Sequence, residues 1–319
     1  MTQTEKQLRD ISTRIGCALL IFAALMLLQS AAMAAVPFLT ASLSAKGAEI
    51  AGELVGAALY ILTFTLPILF FKMISRGRLI RAPHLAPDLT ADGLRCALFG
   101  VAVTLALAFV NAKIVDVFDY AKFSQEYIWH NEAGENYQLV LLFLTLAVVP
   151  AFVEELLFRG LILENLLPCG KTVAIFGSAF LFGMMHQNAE QLLYATGAGL
   201  VFGWIYVRTR SLWPCVLAHF VNNFQSVIQV AVTERLSGTR ADAVLYITEG
   251  TLLVLGILSA VFLFRSSPFV RESEEDSCLQ EVQELSLRRR TRLFFSIPMT
   301  LFVLWCMANM LMLILMAIL

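Results

Sequence analysis

Six side chains in this sequence belong to the types that move protons and stabilise charge, and they sit in apolar surroundings. Glu154, Glu155 and Arg159 follow an apolar run that begins at Tyr137. His186 ends the run Phe182-Gly183-Met184-Met185-His186, and His219 and Asn223 stand four apart in His219-Phe220-Val221-Asn222-Asn223. A carboxylate held out of bulk water can take a proton from a water molecule, an imidazole can orient that water, and nearby donors can stabilise the oxyanion formed on an attacked carbonyl. Glu154 and His186 suit the first task, His219 and Asn223 the second. Two histidines and a carboxylate are also a catalytic zinc pattern, so Glu154, His186 and His219 form a candidate metal set with zinc as the candidate cofactor. There is no His-Glu-x-x-His helix to give the metal version separate support, and the metal-free version is preferred.

The spacing assigns different tasks to the two glutamates. Glu155 and Arg159 are four apart with the acid first, the favourable order for an ion pair on one helical face. Glu154 lies about 100° around the helix from Glu155, so it points elsewhere and is available for chemistry. The eleven Leu, Val and Phe residues between Tyr137 and Glu154 offset roughly 3 to 6 kcal/mol of membrane insertion, whereas three central charges cost roughly 8 to 10 kcal/mol. The helix cannot carry them alone. They need partners in a polar cavity or a place near the headgroups, and Glu154 lies roughly 26 Å along the helix from Tyr137.

The elements that position these groups are membrane helices. Of the 319 residues, 59% are hydrophobic and only 15% charged, too few charges to cover a water-exposed surface. The net charge of -1 excludes nucleic-acid binding, which needs surplus Lys and Arg. Six scattered cysteines with no CxxC pair suggest neither disulfides nor a cysteine zinc site. Nine apolar stretches can be drawn: Gly16 to Leu39, Gly52 to Phe71, Asp92 to Asn111, Tyr137 to Leu167, Lys171 to His186, Gln191 to Val207, Leu212 to Val232, Ala243 to Phe264 and Leu293 to Ile318. The fifth and sixth are short and in need of cover from neighbours, so the expected fold is an all-α polytopic bundle of eight or nine transmembrane helices. The first stretch holds a small-residue segment, Ser30 to Ala34, resembling a cleavage site, but its apolar character continues to Leu39 and an uncleaved anchor is preferred.

Lys and Arg fall mostly on one set of loops, which predicts a cytoplasmic N-terminus and an external C-terminus. An acidic, aromatic external loop runs from Lys113 to Asn136. A cytoplasmic loop, Ser266 to Arg292, passes from Glu272-Ser273-Glu274-Glu275-Asp276 to a basic end that anchors the last helix to headgroups. The chain divides into N-terminal helices with the external loop (1–136), a core carrying the motifs (137–230) and C-terminal helices (231–319), all within one integral domain.

The order Glu-Glu-x-x-x-Arg (Glu154 to Arg159), Phe-x-x-x-His (Phe182 to His186) and His-x-x-x-Asn (His219 to Asn223) resembles the CAAX-protease and bacteriocin-processing (CPBP, or Abi) family of intramembrane endopeptidases, which includes the Ras-converting CAAX prenyl protease. The flanking Phe158-Arg159-Gly160 and Ser211-Leu212-Trp213-Pro214 are also similar to the family. The resemblance covers roughly Tyr137 to Val230. It implies a peptide hydrolase with Glu154, Glu155 and His186 as water activators and His219 and Asn223 as oxyanion stabilisers, acting on a membrane-associated protein or peptide, whether prenylated or not. Metalloprotease chemistry stays open beside it.

Two other classes compete. Intramembrane acids and histidines also build ion pathways, and Glu249, a lone carboxylate in the eighth stretch, suits a proton-coupled transporter, although no internal repeat or matched pair of broken helices accompanies it. A non-catalytic immunity or scaffold protein would keep the fold without the reaction. The remaining histidines, His84 and His130, lie in loops. Gly199 and Gly203 form a small-residue face for helix packing. The expected location is a bacterial plasma membrane, with the lipid bilayer and a protein or peptide substrate as partners.

Overall fold

The computed structural model describes residues 1, 3–76, 81–85, 90–118, 136–266 and 285–318. Most of the external loop, His130, and the acidic part of the 266–292 loop lie outside the described residues. Among the described residues there are ten helices and no strands. They are α1 (Gln3–Leu39), α2 (Ala45–Ile74), α3 (Ala91–Phe118), α4 (Asn136–Leu166), α5 (Lys171–Met185), α6 (Ala189–Thr209), α7 (Trp213–Arg235), α8 (Thr239–Ser266), α9 (Leu287–Phe294) and α10 (Ile297–Ile318).

Eight of the nine apolar stretches lie essentially on single helices, and the ninth, Leu293 to Ile318, is broken at Phe295–Ser296 between α9 and α10. Seven helices, α1, α2, α3, α4, α7, α8 and α10, are long and apolar enough to cross a membrane. The count of eight or nine is therefore approximate, with α5 and α6 making the difference. At about 1.5 Å per residue, the 15 residues of α5 reach roughly 22 Å, short of a hydrocarbon core about 30 Å thick. α6, with 21 residues, is long enough to reach roughly 31 Å, so of the two only α5 is short; neighbours cover both. Val173, Ala174, Gly177, Ala179 and Leu181 of α5 and Ala195, Ala198, Gly199 and Phe202 of α6 are buried. The two helices pack closely because a Cβ on Gly199 would lie 2.9 Å from the Ala179 Cα.

Contacts at the helix ends give the bundle two sides. At one end, Arg14 Nη1 donates to Ser75 Oγ at 2.7 Å, Arg208 pairs with Asp92 at 3.5 Å, and Arg210 pairs with Glu164 at 3.3 Å. At the other end, Tyr137 Oη donates to Glu49 at 2.7 Å and Arg235 Nη2 donates to Asn136 at 2.9 Å. The helices alternate between these ends, and the start of α1 is tied to the α9–α10 junction by Ser296 Oγ donating to Ser12 O at 3.1 Å and by an Arg289–Glu5 ion pair. Lys72, Arg76, Arg81, Arg95, Lys171, Arg208, Arg210, Arg265, Arg288, Arg289, Arg290 and Arg292 belong to the end that carries the start of α1. Lys46, Arg235 and Arg240 belong to the opposite one.

α4 is not a uniform α-helix. Two π-helical segments, Phe143–Val148 and Leu156–Leu163, flank the short α-helical piece Val149–Glu155 that bears both glutamates. π turns shift the side chains that follow them and often mark functional sites. Pro150 contributes as well. Having no N–H, it cannot donate to the carbonyl of Leu146 one turn earlier, and that carbonyl accepts instead from Asn223 Nδ2 of α7 at 3.0 Å. A proline in one motif helix thus ties it to another.

Candidate active site

The structure brings the six residues singled out above to one region within the bundle, from two helices, α4 and α7, and the end of a third, α5. Glu155 and Arg159 are fully buried, and Arg159 Nη1 donates to Glu155 Oε1 at 2.9 Å, the ion pair expected from their spacing. The guanidinium also donates from Nη2 to the carbonyl of Gly199 at 3.2 Å and lies over the rings of Phe182 (4.5 Å) and Phe202 (5.3 Å). A weakly hydrated planar cation suits this setting of carboxylate, carbonyl and aromatic faces.

His219 of α7 approaches the same carboxylate, with Nδ1 2.9 Å from Glu155 Oε1. Its ring stacks on Phe202 at 5.4 Å and meets the edge of Phe182 at 5.9 Å. A carboxylate only accepts, so Nδ1 carries the hydrogen and Nε2 is the atom turned to the other glutamate. Nε2 lies 3.9 Å from Glu154 Oε2, beyond direct hydrogen-bond range but within reach of a bridging water or substrate atom.

Glu154 is 4% exposed. One oxygen, Oε1, accepts a hydrogen bond from Tyr60 of α2, and the other, Oε2, is buried with no hydrogen-bond partner among the described residues. It lacks the cation that Glu155 has, as the 100° offset implies. His186 caps α5, where its Nδ1 donates to the carbonyl of Phe182 at 2.8 Å. That bond leaves Nε2 as the ring atom able to accept a hydrogen from water. His186 is within electrostatic reach of both Glu154 and His219. Because α5 is short, its end and the tight reversal through Gln187, which has a left-handed φ of 52°, lie inside the bundle rather than beyond it.

Asn223 sits one turn beyond His219. Its Nδ2 is engaged by the Leu146 carbonyl and its Oδ1 accepts from Asn222 Nδ2 at 3.3 Å, which fixes the amide and leaves the second Nδ2 hydrogen to donate. Asn222 in turn accepts from Tyr194 Oη at 2.7 Å. Glu154, His186 and His219 were also the candidate zinc ligands. Among the described residues no group of three or more His, Cys, Asp or Glu is placed to hold a metal ion. As placed, Glu154, His186 and His219 do not make such a group.

Several sequence candidates fall elsewhere. Glu249 is exposed on α8 and adds nothing to the buried cluster. His84 belongs to a separate network at the basic end, around the buried Glu164 with Arg81 and Arg210. Cys215 is buried and donates to the Phe202 carbonyl, which fits a packing thiol. Tyr60 and Tyr194 had not been singled out in the sequence. A signal for Tyr60 existed, since Glu49, Glu53 and Tyr60 recur at helical spacing in an otherwise apolar helix.

Comparison with known proteins gives two matches. Residues 136–225 match a family described as Rce1-like, Type II CAAX prenyl endopeptidase Rce1-like. Over 94 residues the chain is 31% identical to "Putative membrane peptidase YdiL" of Bacillus subtilis (strain 168), a match covering 28% of this chain and 38% of that protein. No solved structure matches the chain. The matched segment runs from the first residue of α4 to two residues past Asn223, so it contains every residue of the three motifs, and it is over these residues that the chain is similar to Rce1-like membrane peptidases.

Proposed function

We propose that this chain is an intramembrane endopeptidase of the CAAX-protease kind, hydrolysing a peptide bond of a membrane-associated protein or peptide with water activated by Glu154. The observation that carries the reading is the division of labour in one buried carboxylate: Glu154 Oε1 is held by Tyr60, while Oε2 is unbonded and faces His219 Nε2 at 3.9 Å.

Glu154 Oε2 takes a proton from water as the water oxygen attacks the scissile carbonyl carbon, and His186 Nε2 accepts the second water hydrogen and aims the attacking lone pair. The oxyanion faces Nε2–H of the imidazolium form of His219, whose Nδ1–H stays on Glu155, and the free amide hydrogen of Asn223. As the C–N bond breaks, the proton held by Glu154 passes to the leaving amine. Glu155 and Arg159 touch no reacting atom here; they position His219. The surplus of Lys and Arg at the basic end supports a cytoplasmic N-terminus and an external C-terminus, in a bacterial plasma membrane.

The test is cleavage by the purified, liposome-reconstituted chain in H₂¹⁸O, using membrane proteins that accumulate uncut in a deletion strain. Hydrolysis puts one ¹⁸O into the new carboxyl terminus, and Glu154→Gln abolishes it while leaving the fold intact. A strain carrying Glu154→Gln whose membrane proteome matches the parent's instead of the deletion's would refute the reading.

A further inference from the structure

The helix that completes the site lies outside the matched segment. Tyr60 of α2 donates from Oη to Glu154 Oε1, across 94 residues of sequence. Along α2, Tyr60 marks a change of character. Away from the basic end, Glu49 accepts from Tyr137 Oη and Gln138 Nε2, each at 2.7 Å, and Glu53 follows one turn later. Toward the basic end, Phe64, Pro67, Ile68 and Phe71 are buried and apolar. The phenol therefore stands at the inner limit of a polar seam, its ring packed on Phe64 at a centroid distance of 4.7 Å and its hydroxyl on the candidate base.

We infer that Tyr60 is a positioning residue for Glu154, fixing which carboxylate oxygen meets the reacting water; the inference rests on the hydrolase reading above. The terminal torsion of a glutamate is broad and nearly two-fold, so sequence and helix geometry alone leave the two oxygens interchangeable. Glu155 escapes this ambiguity because Arg159 and His219 both hold its Oε1. Glu154 has no cation to do the same. A donor on Oε1 sets the carboxylate plane and leaves Oε2 toward His219, and a reacting geometry fixed in advance lowers the barrier without a contact to substrate. Phenylalanine would fill the same space against Phe64, so packing alone does not call for the hydroxyl.

The experiment compares wild type, Tyr60→Phe and Glu154→Gln as full-length chains in liposomes. Loss of one hydrogen bond to a charged group predicts a kcat for Tyr60→Phe about ten- to a hundredfold lower, with KM within about twofold and the thermal midpoint near that of wild type. The infrared carboxyl band assigned to Glu154 by subtraction of the Glu154→Gln spectrum shifts in Tyr60→Phe, which a purely structural role would not produce. Should Tyr60→Phe not fold, 3-fluorotyrosine at position 60 keeps the ring and hydroxyl while making the phenol more acidic, and it moves the same band. An unshifted band, or kcat within about twofold of wild type while Glu154→Gln is dead, overturns the role of Tyr60 and leaves the hydrolase standing. Full activity in Glu154→Gln would instead remove Glu154 as the base, and with it the assignment on which the role of Tyr60 rests.

Discussion

His219 Nδ1 lies 2.9 Å from Glu155 Oε1, the same oxygen that Arg159 Nη1 reaches at 2.9 Å. One fully buried carboxylate oxygen thus joins a residue of its own helix to a residue 64 positions away on α7. This relationship sorts the two adjacent glutamates. Glu155 is enclosed by donors and holds His219 in orientation, whereas Glu154 keeps an oxygen for chemistry.

The buried pair carries the first prediction. Removing one partner of a buried ion pair leaves the other charge uncompensated, at a cost of about 3 to 5 kcal/mol. Arg159→Ala is expected to lower stability by that amount, measured by reversible unfolding in mixed micelles. Arg159→Lys is expected to recover only part of it, because an ammonium cannot at once serve the carboxylate, the Gly199 carbonyl and the two aromatic faces.

At Glu154 the expectation is the reverse. Glu154→Gln keeps size and shape and removes the base, so hydrolysis falls by at least about a hundredfold with little change in thermal midpoint. Activity assays and scanning calorimetry on the same preparation separate the two effects.

The oxyanion donors should differ in degree. His219→Ala loses both the Nε2 donor and the partner of Glu155, and kcat is expected to fall by about a hundred- to a thousandfold. Asn223→Ala also strips the Leu146 carbonyl, freed by Pro150, of its side-chain donor, so a stability loss of about 1 kcal/mol accompanies its loss of rate. Steady-state kinetics and unfolding curves on both variants check the ranking.

Close packing of α5 against α6 positions the Arg159 acceptor. A Cβ at Gly199 meets the Ala179 backbone at 2.9 Å, so Gly199→Val must push the two helices apart. Overpacking of this kind costs about 1 to 3 kcal/mol, and the displaced carbonyl loses its bond from Arg159. A lowered midpoint together with reduced activity is the expected result.

The metal alternative is open to direct measurement. The metal-free mechanism predicts that the purified chain retains its activity after exhaustive chelation. Stoichiometric zinc whose removal abolishes cleavage, and whose return restores it, would replace Glu154 as the water activator.

Much of this protein could be read before any coordinates. Hydrocarbon admits only helices and closed barrels, whose backbone bonds are all satisfied internally, and continuous apolar runs of about 20 residues suit helices, not barrel strands, so composition and run length were sufficient for an all-α membrane bundle. The Glu155–Arg159 pair was equally legible, because residues four apart on one helix meet whatever surrounds them. The family of the 136–225 segment could be recognised from three short motifs for the same local reason. Tertiary packing decided the rest. That α5 stops inside the bundle, that Pro150 hands a carbonyl to Asn223, and that Tyr60 from α2 selects one oxygen of Glu154 all depend on which helices become neighbours. Periodicity in a sequence tells which face of a helix is polar, but not which other helix that face will meet.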